Sequence, residues 1–352
     1  MIRVLALFSG SLASRIAARL VEQHPDVESV CLLHFRSPFS REPEDLRCLA
    51  KSEWPGTTLR TQSLKREYRR LVDTRCSGDF SLAESCVRCR RLLLQRAEKY
   101  MARTEAEFLV TGEIPEANGV SRQSMEQLSS DSGLEGRVLR PLCSKSPLRI
   151  PTDLRTWSKL TGSGRCADTG PWLRKMAVAL GLDPRDEMSS AIRCKLTQPG
   201  FGARVARLFS EPGFSLNELR LLDFPTFYGI RPDTKVVVAS NEQEKRELQN
   251  LFLPTDLRVY TAAPHGPMTL VRTAWKDRTV AGRDAVIELA ARITATHIVG
   301  ETNMLRPIYY RFENENERLL MNVLPFSSCE HIAALEDVDV VPLDAEAQVA
   351  VG

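Results

Sequence analysis

Apolar residues in the first third of the chain fall into short unbroken blocks separated by segments of helical period. Val4-Leu-Ala-Leu-Phe8, Val30-Cys-Leu-Leu-His-Phe35 and Glu107-Phe-Leu-Val-Thr111 are blocks of the length and β-branched or aromatic content expected of buried strands. Between the first two, Ile16, Ala17 and Leu20 recur at helical spacing within Ser14 to Gln23. Thr57 to Leu64 reads as a further strand, Lys65 to Val72 as a charged helix, and Leu92 to Tyr100 as an amphipathic one. Strands alternating with helices predict a parallel α/β sheet of Rossmann-like type with crossover connections. Ligands of such sheets bind at the carboxyl ends of the strands, where Ser9 to Ser14 and the loop after Thr111 fall.

The pattern changes further along. Residues 141–170 are rich in proline, serine and glycine, and a helix is expected from about Pro171 to Leu180. Glu211-Pro-Gly213 and the stretch from Pro225 to Pro232 read as punctuation between domains. Beyond them the alternation resumes. Strands are expected at Lys235 to Ser240, Leu257 to Thr261, Met268 to Arg272, Ile308 to Phe312 and Leu319 to Leu324, and helices at Glu242 to Leu251 and Asp284 to Thr294. The expected division is a nucleotide-binding domain over 1–150, a connecting segment over 151–212 that carries Cys194, and a smaller α/β domain over 213–352.

Composition narrows the classes. An apolar content of 43% with 26% charged residues is that of a soluble globular protein able to bury substantial cores. The net charge of +3 makes no global demand for nucleic acid, although Lys65-Arg-Glu-Tyr-Arg-Arg70 and Arg88-Cys-Arg-Arg91 are local basic runs. Nine cysteines, an odd number scattered over 352 residues, do not resemble a secreted disulfide framework and point to a reducing cytoplasm. The apolar start of the chain is broken at Ser9-Gly-Ser11 and continues as an arginine-containing amphipathic helix, unlike a signal peptide. No segment approaches the roughly 18–20 apolar residues of a membrane span, so no membrane partner is expected.

Two motifs bear on chemistry. Strand, Ser9-Gly10-Ser11 and helix in succession aim backbone N–H groups at an anion, although on serine and glycine content alone the segment reads first as an ordinary tight turn. Neither a Walker loop nor a complete G-x-G-x-x-G fingerprint is present. Cys86-Val-Arg-Cys89 stands just before the expected helix at Leu92, whose N-terminal dipole would favour thiolates. Half of a zinc site, a redox pair and part of a cluster site all fit that spacing. A zinc ribbon would need a second C-x-x-C, and a thioredoxin-type pair would be expected after the first strand. With Cys194 as a third thiolate, a 4Fe-4S cluster with one open iron fits best. Cys31, Cys48, Cys143 and Cys329 read as buried and inert, Cys76 and Cys166 are unassigned, and the five histidines show no ligand spacing.

The order of these motifs, with Phe108-Leu-Val-Thr-Gly-Glu113, Ser132-Gly-Leu-Glu-Gly136 and Leu139-Arg-Pro-Leu-Cys-Ser-Lys145, resembles the PP-loop tRNA thiolation enzymes over about residues 1–205. These are the 4-thiouridine synthase and 2-thiouridylase relatives, built on an adenine nucleotide alpha hydrolase-like fold. Gly266-Pro-Met-Thr-Leu-Val-Arg272 resembles, more faintly, an NFACT-type RNA-binding domain. The resemblance implies ATP-dependent thiolation of a tRNA uridine: the uracil oxygen is adenylated, and sulfur from a donor protein's persulfide or from sulfide displaces AMP. It implies that Ser9, Gly10, Ser11 and Ser14 hold the pyrophosphate, that Thr111 and Gly112 border the nucleotide, and that Arg140 and Lys145 face phosphates. Cys86, Cys89 and Cys194 would bind the cluster, with Cys86 and Cys194 carrying sulfur. The chain departs from the family at several places, among them Ile114 to Ser121, which lacks the family's Met-Ser-Gln pattern. Ser11 replaces the second glycine of the loop, Ala13 replaces the aspartate that organises Mg2+ and triphosphate, and Ile192-Arg193 replaces a Gly-Gly before Cys194.

Overall fold

Buried strands with helices on both faces need two sets of inward-facing residues, and β1 (Ile2–Leu7) supplies them by alternation. Val4 and Ala6, with Phe8 just beyond the strand, enter one core with Leu12, Ile16, Ala17 and Leu20 of helix α1 (Leu12–Glu22). Leu5 enters a second core on the opposite face, with Leu33 and Leu109. The computed structural model describes residues 1–39, 46–64, 67, 82–115, 121–160, 169–185, 194–197, 199–210, 214–263, 265–300 and 303–340. Apart from Glu67, the helix expected over Lys65 to Val72 lies outside the described residues, as do Cys76, Cys166 and Ile192-Arg193.

The chain divides into two compact units, Met1–Thr197 and Gln198–Gly352. In the first, β2 (Val27–Arg36), β3 (Leu59–Ser63), β4 (Phe108–Val110) and β5 (Val138–Leu139) join β1 in a parallel sheet of order β3-β2-β1-β4-β5. The order reverses between β1 and β4, the switch point at which doubly wound sheets bind ligands. Helices α2 (Leu46–Glu53), α3 (Leu82–Thr104), α4 (Arg122–Asp131) and α5 (Thr169–Ala179) complete the unit. Leu94, Ala97 and Met101 of α3 and Leu128 of α4 fill the Leu5 face, while Leu173, Met176 and Ala177 of α5 cover the Val4 face. Leu154 and Trp157 also belong to that second layer, so much of the proline-rich segment after 141 serves the core of the first unit.

Helix α3 begins ten residues before the expected Leu92, which places Cys86 and Cys89 inside the helix rather than ahead of it. The arginines at 88, 90 and 91 obscured the period. In the structure Arg91 pairs with Asp131 at 2.7 Å, while Arg90 only reaches Glu113 at 4.0 Å.

The second unit opens with α6 (Pro199–Ser210), whose proline stands at the first helical position, and α7 (Leu216–Leu221), closed by a Ser215/Glu218 capping box. An antiparallel sheet follows, of order β11-β10-β8-β9-β7-β6-β12. Its strands are β6 (Thr226–Ile230), β7 (Thr234–Ala239), β8 (Leu257–Thr261), β9 (Met268–Arg272), β10 (Arg306–Phe312), β11 (Leu319–Val323) and β12 (Val338–Val340). Helices α8 (Glu242–Gln249), α9 (Val280–Thr296) and α10 (Cys329–Ala333) complete it. Strand β6 occupies part of the stretch read as punctuation: its flanking prolines bound a strand instead of a linker. Val236, Val238, Leu257, Val259, Val271 and Ile308 turn to α9, leaving the other face of β8 and β10 outside that core. Among the described residues no helix is long and apolar enough to cross a membrane.

Candidate anion site at the switch point

The loop after β1 turns sharply at Gly10, whose φ of +85° lies in the left-handed region. Ser11 then caps α1, its Oγ accepting from the Ser14 N–H at 3.4 Å. Three hydroxyls form a ring inside the turn: Ser9 Oγ lies 3.0 Å from Ser11 Oγ and donates to Ser14 Oγ at 3.2 Å. Ser14 Oγ in turn donates to the Ser11 carbonyl at 2.9 Å. The N–H groups of the first turn of α1 have no earlier helical carbonyl to serve them, and the helix dipole adds positive potential at the same place. Serine at position 11, in place of a second glycine, therefore closes the turn by capping the helix.

Gly112 closes the site from the other side of the switch point. A Cβ there would stand 2.6 Å from Ala13 C, Ala13 O and Ser14 N, so the loop after β4 lies directly against the backbone of the Ser9–Ser14 loop. The structure thus brings together Ser9, Gly10, Ser11, Ser14, Thr111 and Gly112 from segments about 100 residues apart. Two further groups fix the framework. Buried His34 on β2 has Nδ1 3.0 Å from the Phe8 carbonyl; that carbonyl can only accept, so Nδ1 carries the proton. Buried Arg15 pairs with Glu53 of α2 and donates to the carbonyls of Asp183 at 2.7 Å and Arg185 at 3.2 Å, anchoring α1 directly behind its N-terminus.

Arg140 is a correction. Expected to face phosphates, it is only 3% exposed, and its guanidinium is taken up by Glu113 Oε2 at 3.0 Å, Ser129 Oγ at 2.8 Å and the Met125 carbonyl at 3.3 Å. It ties β5 to α4 and to the loop after β4. Its carboxylate partner Glu113, which also accepts from Thr111 Oγ1 at 3.1 Å, was not singled out in the sequence. Nor was Arg90, whose Nη1 is buried with no hydrogen-bond partner among the described residues. Lys145 remains exposed beyond β5.

The cysteines divide differently from expectation. Cys143 is buried, and burial pushes its thiol up to about 12, with Arg140 opposing the shift; it is inert. Burial also raises the Cys31 thiol. Cys48 and Cys329 are exposed, because the first lies on the outer side of the short helix α2 and the second at the start of α10. Cys86 and Cys89 are half-buried one turn apart on α3, and Cys194 is half-buried in the segment whose Lys195 N–H donates to the Phe39 carbonyl at 2.7 Å, beyond the end of β2. Because α3 returns antiparallel to the strands, its first turns lie toward their carboxyl ends, the edge that also receives Cys194. Among the described residues no group of three or more His, Cys, Asp or Glu side chains is gathered to hold a metal ion.

Fold and loop together define a Rossmann-like α/β unit with a serine-rich turn at its switch point, joined to an antiparallel second unit. No protein-family model matches the chain, and no curated protein matches it in sequence. Among solved structures it is similar to a 4-thiouridine synthetase in complex with RNA and bound ATP, at 18% identity and a TM-score of 0.33. That match covers 51% of each chain, so this chain spans about half the length of the synthetase. It is also similar to a predicted subunit of tRNA methyltransferase from Methanocaldococcus jannaschii, at 15% identity and a TM-score of 0.28 over 52% of this chain and 90% of that one. A third likeness, to the C-terminal part of the fibronectin/fibrinogen-binding protein of Streptococcus suis, has 13% identity and a TM-score of 0.27 over 77% and 98%. Overlaps of this size assign no activity to this chain.

Proposed function

We propose that the first unit binds ATP through the Ser9–Ser14 loop and that the chain uses it to modify RNA, with thiolation of a tRNA uridine as the reaction. The observation that carries this reading is the cradle formed by the Gly10 turn, the serine hydroxyls and the close approach of Gly112. The buried, unpartnered Arg90 Nη1 adds a donor beside Glu113 that a phosphate oxygen would satisfy. The nucleotide supplies an adenylyl group that turns a uracil carbonyl oxygen into a leaving group. Ser9, Ser11, Ser14 and the first N–H groups of α1 hold the departing pyrophosphate, Thr111 and Gly112 wall the nucleotide, and exposed Lys145 offers counter-charge.

In this reading Cys86 and Cys194 carry the sulfur. The terminal sulfur of a persulfide on one attacks the uracil carbon, and the C–O bond to AMP breaks. The thiolate of the other then attacks the carrier sulfur, so that a disulfide forms and thiouridine leaves; an external thiol reduces the disulfide. A donor protein or sulfide must supply the persulfide. A 4Fe-4S cluster or a zinc ion on Cys86, Cys89 and Cys194 would require the three sulfurs to lie within about 7 Å of one another. No such group is gathered among the described residues, so no step is assigned to a cluster. Mg2+ likewise has no carboxylate at Ala13.

A second reading, nucleotide or RNA binding without adenylation, is favoured by the same Ala13. Calorimetry separates the cases. The native protein should bind ATP with little dependence on magnesium, and Ala13→Asp should make binding both tighter and magnesium-dependent. Thiouridine formation from tRNA, ATP and a persulfide donor supports thiolation. ATP binding without thiouridine supports the second reading, and no ATP binding overturns the first and leaves only the RNA-binding form of the second. Iron, zinc and sulfide analysis of anaerobically purified protein tests the cysteine assignment.

A further inference from the structure

In the second unit, the face of the sheet turned away from α9 carries an unusual set of side chains. Strand pairing sets Tyr309 opposite Tyr260 and Arg311 opposite Arg258, all four on this face because side chains alternate along β8 and β10. The tyrosine rings stack with centroids 5.9 Å apart and planes 25° from parallel. The exposed Arg318, from the turn after β10, lies over the Tyr309 ring at 5.1 Å. Beside them opens a cleft of about 440 Å³ whose lining includes Lys245, Arg258, Tyr260, Arg311 and Arg318 and no acidic residue. One wall is the turn into β9, where Gly266 is pressed against Thr261 so closely that a Cβ would fall 1.8 Å from its Oγ1.

The carboxylates around the cleft neutralise only part of this charge. Glu313 accepts from Arg258 at 2.6 and 3.1 Å and stands 3.9 Å from Arg311. Glu242 holds Lys245 at 2.8 Å and faces His265 at 3.7 Å. Among the described residues Arg318 is met by a ring, and Arg311 stands no nearer than 3.9 Å to a carboxylate oxygen, which leaves positive charge in a cleft floored by an aromatic ring. Phosphates demand the first feature and unpaired bases the second; a duplex keeps its bases stacked inside and cannot use the ring. An acidic polypeptide would use the charge and not the tyrosines.

We propose that this cleft binds single-stranded nucleic acid, one base stacking on Tyr260 and the flanking phosphates meeting Arg311, Arg318 and Lys245. The proposal stands on the second unit and does not rest on ATP use or on thiolation. The test is fluorescence anisotropy of labelled 12-nucleotide strands lacking uridine, as RNA and as DNA, with the full chain, so that a failure of the thiolation reading leaves the result untouched. Single strands should bind more tightly than the matching duplex. Tyr260→Ala should weaken binding roughly 5- to 100-fold while Tyr260→Phe retains it. Arg318→Ala, at an exposed position where folding is not at risk, should lower the slope of log affinity against log salt by about 0.7. RNA bound more tightly than DNA assigns the ligand to RNA, and equal binding assigns it to single strands in general; either supports the site. Absence of binding, native affinity in both alanine variants, a duplex bound as tightly as the single strand, or equal competition by polyglutamate would overturn it.

Discussion

A single methyl group at residue 112 tests the geometry on which the nucleotide site depends. Its three nearest neighbours would be backbone atoms of Ala13 and Ser14 at 2.6 Å, and backbone cannot swing aside as a flexible side chain can. Gly112→Ala should therefore displace the loop, destabilise the protein by about 1–3 kcal/mol, and reduce ATP affinity at least tenfold by calorimetry. Gly170→Ala is the matched control. Its Cβ would meet only the Arg174 side chain, at 3.7 Å, and the thermal midpoint should not fall. Residue type showed in the sequence that the 9–14 turn and Gly112 each end a strand. It did not show that Gly112 is needed for close approach rather than for a positive φ, because that depends on which strands become neighbours. Arg140 misled for a related reason. An arginine near a phosphate loop reads as a ligand until its buried partners Glu113 and Ser129 are seen, and neither partner has a spacing that betrays it.

Elements were legible where an unbroken apolar block or an apolar stripe of helical period marks them. Strands β1, β2, β7, β8 and β9 and helix α1 lie within a few residues of where their hydrophobic pattern put them. The early start of α3 was hidden because its first turns are rich in arginine, and β6 because prolines bracket it. Burial of charge on an element also escapes sequence reading. Arg15 would count as a surface residue on any helical wheel, yet it is 1% exposed and paired with Glu53. Removing one partner leaves an uncompensated buried charge, so Glu53→Ala should cost about 3–5 kcal/mol. In urea titrations, Arg15→Met with Glu53→Leu should recover most of that loss. If the single and double variants unfold at the same midpoint, the pair does not anchor α1.

Across the whole chain, acid should weaken the second unit, where Glu218 and Asp233 are among the carboxyls that titrate below their ordinary range. Burial alone would raise Glu218, but Lys235 and the Ser215 cap outweigh it and hold the carboxyl below 4.5. Burial likewise opposes the lowering of Asp233, which the Ala274 N–H, the Thr273 hydroxyl and Arg278 bring below 3.8. Groups depressed in the folded state contribute stability that is fully present above their unfolded values and is lost as pH falls through the folded ones. Hydrogen exchange at Val236, Val237 and Val238 should thus be constant from pH 7 to 5, once corrected for intrinsic rates, and should accelerate below about pH 4.5. Glu218→Gln should flatten that dependence; an unchanged profile would remove Glu218 from the account. Both pairs join residues distant in sequence, and the boundary after Thr197 became visible only as contacts. The proline-rich stretch after 141, read as a connector, supplies Leu154 and Trp157 to the first core.

The dependence of the Ser9–Ser14 loop on Gly112 also sets an order of events in time. The loop is made before the residue that completes it, which is added about 100 residues later; at 5–20 residues per second that is roughly 5–20 s. Through that interval the nascent chain holds a phosphate turn without its far wall. Parallel pairing of β4 beside β1 is a non-local event of the slow kind. On the proposed reading, nucleotide therefore cannot template the Ser9–Ser14 turn; it would capture only a chain in which β4 has already docked, and its binding would report that docking step.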